Sequence, residues 1–391
     1  RGTWRGRDLS WDGGIKAVVK RTLNGLASPR RRCWRGAVQD IDVHIVGIAG
    51  PVHDYPGLIA EQCRAAGLRC SVNSIPFVPI GDFSPAVARR LRAMLKAAPA
   101  GSLTVYCSAW AEFFMKDADL SLHFSHYRRW YDPKRMRVMP YAWTNARPDH
   151  PEGVVWSAKP PLKVGFRGMT YRSSRPAQAA SRLPKWCKRW ILEGRYLRYP
   201  HLFGAAIRWR IPIRFLATFP RFEALERVQA DAGDLGIDLE VGENGVFQWS
   251  PQAVDAFEQH LLRNTYILCP RGAENYSFRV YEALRFGRVP VIIDTDMVLP
   301  PEVPWQDVAL VIPYSRVQDT AALIAEDHRT RTAKQFRERQ RLALETTAML
   351  DSEVWLAGVA REIADRARSS RTIVTESSPA TIKSLDSAPV F

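Results

Sequence analysis

The stretch LCPRGAENYSFRVYEALRFGRVPVIIDTDMVLPPEVPW, residues 268–305, decides how this chain is read. The apolar strand TYILCP (265–270) stops at Pro270, and Arg271-Gly272 turns where only a small residue lets a ligand approach the backbone. Ser277, Phe278 and Arg279 open a helix expected over about 276–287, so unpaired backbone N–H groups and the positive end of the helix dipole face the turn, which suits a pyrophosphate. Arg271 and Arg279 flank that point as charge-assisted donors to phosphate oxygens, and Ser277 adds a hydroxyl. Glu282, one turn further in, is placed to accept from ribose hydroxyls. The strand VPVIID (289–294) then ends in Asp294-Thr295-Asp296 at the carboxyl edge of the sheet, where open α/β folds bind ligands.

Working outward, the same strand–helix rhythm runs in both directions. IDVHIVGIAG (41–50) reads as a buried strand feeding a ligand-facing loop, followed by a helix over 56–67, a strand at 69–75 and a helix opened by Ser84 and Pro85. Strands at 102–109, 119–124 and 136–142 complete one parallel α/β unit. The Pro-rich, polar stretch 145–161 reads as a linker, and LKVGFRG (162–168) starts a second unit with a strand at 213–218 and helices at 220–231 and 251–263. Helices at 316–348 and 351–368 close the chain. The expected organisation is a basic arm (1–37), an N-terminal Rossmann-like domain (38–155), a C-terminal Rossmann-like domain (156–330), terminal helices (331–368) and a disordered tail (369–391).

With 391 residues, 46% of them hydrophobic and 25% charged, the chain is long enough for two domains that each bury a core. No apolar run approaches the roughly 18 to 20 residues a spanning helix requires. The first residues lack the apolar core of a secretory signal and no initiator Met is present, so targeting is not read from that end. The six cysteines are scattered without a C-x-x-C pair, as in a reduced, cytoplasmic protein. A net charge of +16 implies an anionic partner, with nucleic acid, anionic lipid and phosphorylated small molecules all qualifying. Residues 185–214 interleave Trp, Tyr and Phe with Arg and Lys, a surface for an anionic membrane or, alternatively, core aromatics with solvated arginines. Nucleic acid is disfavoured there, because no zinc ligands, helix-turn-helix or RNP-like motif accompanies the charge.

PRG (270–272), SFR (277–279), YEAL (281–284), VPVIID (289–294) and LP (299–300) before Trp305 together resemble the C-terminal signature of exostosin-like (family 47) glycosyltransferases, in a bacterial member. The likeness covers about 264–325 and reaches back to VGFRG and Arg175. Arg288 stands where the family pattern has Cys, and the N-terminal half shows only the βα rhythm. The resemblance implies an α/β fold of the GT-B kind: two facing Rossmann-like domains with C-terminal helices packing back across them. It implies inverting transfer of a sugar from a nucleotide sugar, UDP-linked, to a hydroxyl of a glycan or lipid-linked glycan acceptor in surface polysaccharide synthesis. The setting implied is cytoplasmic, peripheral at the inner face of the plasma membrane. The donor site it implies comprises Arg271, Gly272, Ser277, Phe278, Arg279, Glu282, Asp294 and Asp296. Arg167 and Arg175 either face phosphate across the cleft or are surface charge. Asp294-Thr295-Asp296 has a D-x-D form, but the class implies metal-independent transfer with no cofactor besides the nucleotide-sugar co-substrate, so no metal ligands are assigned.

Inverting transfer needs a base for the acceptor hydroxyl. The loop 47–57 faces the cleft in such folds and holds His53 and Asp54, the two candidates; a solvated loop His53 and an Asp54 that caps the following helix are the alternatives. Glu112 and His126 lie near strand ends with nothing else in their favour. Two rival functions remain: a basic nucleic-acid-binding protein on an α/β scaffold, and a catalytically silent relative that acts as a binding partner.

Overall fold

The computed structural model describes residues 41–48, 54–75, 85–108, 117–141, 155–170, 175–195, 217–242, 251–272 and 274–376. The expected basic arm, His53, Glu112, most of the linker and the last residues of the tail lie outside them. In the N-terminal half the elements are β1 (Val43–Ile48), α1 (Tyr55–Ala65), β2 (Cys70–Ile75), α2 (Pro85–Lys96), β3 (Leu103–Ser108), β4 (Leu120–His123) and β5 (Met136–Val138). All five strands pair in parallel in the order β2-β1-β3-β4-β5. β1 and β4 are buried on both faces, which is why they read as continuous apolar runs.

The C-terminal half holds β6 (Lys163–Arg167), α3 (Arg175–Ser181), α4 (Lys185–Leu192), α5 (Phe219–Asp231), β7 (Asp238–Gly242), α6 (Pro251–Arg263), β8 (Tyr266–Leu268), α7 (Arg279–Arg285), β9 (Val289–Asp294), α8 (Trp305–Val308) and β10 (Leu310–Pro313). Its sheet is also five-stranded and parallel, in the order β10-β9-β8-β6-β7. Renumbered from its own first strand, that is the order of the N-terminal sheet, so the chain uses one doubly wound topology twice. In each half the order reverses beside the first strand, between β1 and β3 and between β6 and β8, and a crevice forms at the carboxyl ends there.

After α9 (Thr320–Thr330) and α10 (Ala333–Met349), the long α11 (Ser352–Glu376) returns to the first half. Leu356, Val359, Ala360 and Ile363 of α11 enter the same core as Ile45, Ile59 and Leu122, and Arg137 pairs with Glu362. The α/β class and the returning C-terminal helices are as expected.

Several details differ from the sequence expectation. β7 and β10 are edge strands that the apolar pattern did not announce. The expected helix over 316–348 breaks at Arg331, and Thr332 starts α10 with a capping box to Gln335. α11 continues to Glu376, into the stretch expected to be disordered. Of the expected strand 213–218, only Ala217 and Thr218 are described, and they form the turn into α5. Arg288 is buried, donating from Nε to Leu261 O (3.1 Å) and from Nη2 to Leu262 O (3.2 Å), so it covers open carbonyls at the end of α6. Among the described residues no helix is long and apolar enough to cross a membrane.

Candidate active site

The switch point of the C-terminal sheet is built from the ends of β6 and β8. Gly168 has φ +152°, and a Cβ there would lie 2.8 Å from Arg279 Nη2, so the guanidinium of Arg279 rests directly on the Gly168 backbone. Arg279 Nη1 donates to Glu282 Oε2 at 3.2 Å, and its head lies 5.0 Å from the Phe257 ring and 5.6 Å from the Phe278 ring. Burial raises the Glu282 carboxyl pKa, opposed by the neighbouring Arg279. Glu282 therefore holds Arg279 in place. The backbone N–H groups of Ser277, Phe278 and Arg279 have no acceptor among the described residues. α7 itself is only seven residues long, shorter than the expected 276–287, so the charge at this point comes from Arg279 far more than from a helix dipole.

Arg271 takes a different place from the one its position in the loop implied. Its side chain is wholly buried, donating from Nη1 to Asn275 Oδ1 (3.0 Å) and from Nη2 to Tyr127 Oη (3.3 Å), with the head 5.7 Å from the Tyr127 ring. It braces the loop from inside. Arg221, on α5, was not singled out by any sequence signal, yet it donates to Met169 O (3.1 Å), Pro270 O (3.3 Å) and Arg271 O (3.2 Å). One guanidinium thus ties the loop after β6 to the loop after β8, beside Gly272.

The segment Phe124–Trp130, after β4, closes the site from the N-terminal half. Tyr127 and Met297 form an antiparallel bridge, Arg128 N donates to Asp296 O (2.9 Å), and Val298 N donates to His126 O (3.3 Å). Asn275 is the hub of this contact: its N–H donates to Ser125 Oγ (3.0 Å), its Nδ2 to His126 O (3.1 Å), and its Oδ1 accepts from Arg271 and from Thr295 Oγ1 (2.8 Å). The Phe124 ring stacks on Tyr276 at 5.8 Å, and Tyr141 meets Phe278 at 5.1 Å. These links are non-local, which is why the sequence pattern did not reveal them.

Asp294 accepts from Arg128 Nη2, and Arg128 Nε donates to Met297 O at 3.2 Å. Asp296 has φ +64°, a left-handed turn that aims its carbonyl at Arg128. Among the described residues, Asp294 Oδ1 and Asp296 Oδ2 are buried without a hydrogen-bond donor, and burial raises the Asp296 pKa. A ligand hydroxyl reaching the end of β9 would satisfy such oxygens. Among the described residues no group of three or more His, Cys, Asp or Glu could hold a metal ion.

The remaining expected residues divide. Ser277 is buried in the loop and Phe278 is partly exposed at its lip. Arg167 Nη1 donates to Ala256 O at 3.4 Å, across β6 from the loop. Arg175 begins α3, and its side chain lies outside the described residues. Asp54 is the N-cap of α1, accepting from Gly57 N at 3.3 Å at the edge of the N-terminal sheet. His126 is buried with Nε2 on Arg137 O (3.0 Å), and burial pushes its pKa down to about 4.

Residues 228–326 match the Exostosin GT47 domain. Similar curated proteins include the probable beta-1,4-xylosyltransferase IRX10L of Arabidopsis thaliana, 35% identical over 72 residues, and the probable glucuronosyltransferase GUT1 of Oryza sativa subsp. japonica, 35% identical over 71 residues. Each alignment takes in 18% of this chain and only 17% of the relative. Similar solved structures include sucrose-phosphate synthase from Thermosynechococcus elongatus (12% identity, TM-score 0.41, covering 85% of this chain and 100% of the other). Another is Anabaena HepE in complex with UDP-glucose (11% identity, TM-score 0.37, covering 83% and 99%). The matched segment runs from the end of α5 into α9 and holds Arg271, Ser277, Arg279, Glu282, Asp294 and Asp296, and over these residues the chain is similar to the exostosin-like, family 47 glycosyltransferases.

Proposed function

We propose that this chain is a glycosyltransferase that moves a sugar from a nucleotide sugar, UDP-linked, to a hydroxyl of a glycan acceptor, with inversion and without a metal. The observation that carries the reading is the placement of Arg279: the signature arginine lies on the Gly168 backbone at the switch point, locked by Glu282, beside three backbone N–H groups that lack an acceptor among the described residues. Arg279 and those N–H groups hold the diphosphate and stabilise the charge that grows on it as the sugar leaves. Arg271, Asn275 and Arg221 set the shape of the loop. Asp294 and Asp296 receive hydroxyls of the sugar at the end of β9. The base belongs to the loop after β1, with Asp54 and His53 as its candidates; a carboxylate that caps α1 is held rigidly enough to serve.

A role in surface polysaccharide synthesis at the cytoplasmic face of a membrane fits α4, where Trp186 is 72% exposed beside Lys185 while Trp190, Ile191 and Leu192 pack into the core. The test is release of UDP from a panel of UDP-sugars with and without oligosaccharide acceptors. One sugar should give acceptor-dependent release in EDTA. No release with any sugar, alongside salt-dependent RNA binding, would favour the nucleic-acid reading; UDP binding without turnover would favour the silent relative.

A further inference from the structure

Three arginines from two elements converge on one buried carboxylate, next to the candidate site and outside the nucleotide loop. Glu193 ends α4 and is almost wholly buried. Its Oε1 accepts from Arg189 Nε at 2.5 Å, and its Oε2 accepts from Arg195 Nε at 2.5 Å and from Arg129 Nη1 at 3.4 Å. The arginine side chains stay open to solvent, with 79%, 38% and 45% exposure for Arg189, Arg195 and Arg129. Arg189 and Arg195 are gripped through Nε, and their Nη groups make no hydrogen bond among the described residues. A solvated surface pair needs no buried anchor. Here the carboxylate orients several forked donors outward, a geometry that matches a planar or tetrahedral anion.

Charge and position agree with this. One carboxylate faces three guanidinium groups, and Asp296, whose charge reaches this cluster, already has Arg128 beside it. Asp296 is close enough to act electrostatically on Arg189, which puts the cluster beside the end of β9. Gly194, with φ +62°, lies against the Tyr127 ring, where a Cβ would come within 3.0 Å. Tyr127 in turn holds Arg271, so a single side chain separates the arginine cluster from the loop assigned to the nucleotide.

We infer that Arg129, Arg189 and Arg195, oriented by Glu193, form a second anion-binding site that receives a carboxylate or phosphate carried by the acceptor glycan. The inference rests on the glycosyltransferase reading and names its acceptor class as acidic. Anion binding is electrostatic and forked, so it weakens with salt and distinguishes Arg from Lys.

The test titrates the full chain by calorimetry with tetragalacturonate, glucose 6-phosphate, neutral maltotetraose and phosphatidylglycerol vesicles, and with UDP in parallel. Tetragalacturonate should bind at least tenfold tighter than maltotetraose, glucose 6-phosphate should compete with it, and Arg129→Gln/Arg189→Gln should lose at least tenfold while UDP affinity stays within twofold. Arg189→Lys, an exposed change that keeps the charge, should lose part of the affinity; it carries the test should the double variant not fold. Equal binding of acidic and neutral oligosaccharides, binding to vesicles alone, or an equal loss of UDP affinity in the double variant would each overturn the inference. UDP binding without tetragalacturonate binding removes only this site, whereas failure of both removes the enzymatic reading as well.

Discussion

Replacing Asn275 by alanine should unlock the donor loop. Asn275 is buried, and its side chain joins three groups: Arg271 Nη1, Thr295 Oγ1 and His126 O. Alanine leaves all three in place without this partner. A lost hydrogen bond to a charged group costs roughly 1.5 to 3 kcal/mol and each neutral one about 1 kcal/mol. The Asn275 N–H to Ser125 survives the change, so the expected loss is about 3 to 5 kcal/mol in stability. Urea unfolding followed by near-UV circular dichroism measures it, with UDP affinity as the second readout. Because Arg271 braces the loop from inside, UDP affinity should fall by about tenfold or more in protein that is still folded. A stability loss below about 1 kcal/mol with unchanged UDP affinity would refute the hub role.

Three further substitutions probe separate links. Gly168→Ala places a Cβ against Arg279 at a backbone angle that favours glycine, so stability should drop by roughly 1 to 3 kcal/mol and UDP binding should weaken with it; unchanged binding by calorimetry would contradict the contact. Asp54→Ser keeps a good N-cap for α1 but removes the carboxylate, so the melting temperature should hold while the transfer rate falls by about a hundredfold or more; an unchanged rate would leave Asp54 as a cap alone. His126 has its pKa pushed down to about 4 by burial, so the unfolded chain takes up its proton first as the pH falls below about 6.5. Its contribution is complete above that pH and is lost as the pH falls to about 4. His126→Gln should flatten the fall in stability over that window, and a curve as steep as wild type would show that other groups carry it.

The parts of the fold legible in the sequence were those written in local pattern. β1, β4 and β9 are buried on both faces and read as apolar runs, and Pro85, Pro220 and Pro251 sit at the starts of their helices. β7 escaped because DLEVG has no fully buried residue and forms the sheet edge, where acidic side chains are tolerated. The break before α10 had a signal, the spacing of Thr332 and Gln335, which the long polar stretch around it concealed.

For the site, the sequence placed Arg279 and Glu282 one turn apart at a helix start, and the structure pairs them, with Arg279 at Gly168; the expected phosphate and ribose roles are not tested by this geometry. The inward turn of Arg271 was not legible, since one of its partners, Tyr127, lies 144 residues away. Arg128 and Arg221 act through contacts between distant elements, and nothing in their immediate neighbours marks them.

The most direct test of the central claim is calorimetric titration of UDP in EDTA against the wild-type chain and Arg279→Ala. Wild type should bind saturably, and the variant should lose about ten- to a hundredfold, the weight of one charge-assisted contact to phosphate. Affinities within twofold of each other, or no binding by the wild type, would contradict the assignment of the loop between β8 and α7 to the nucleotide.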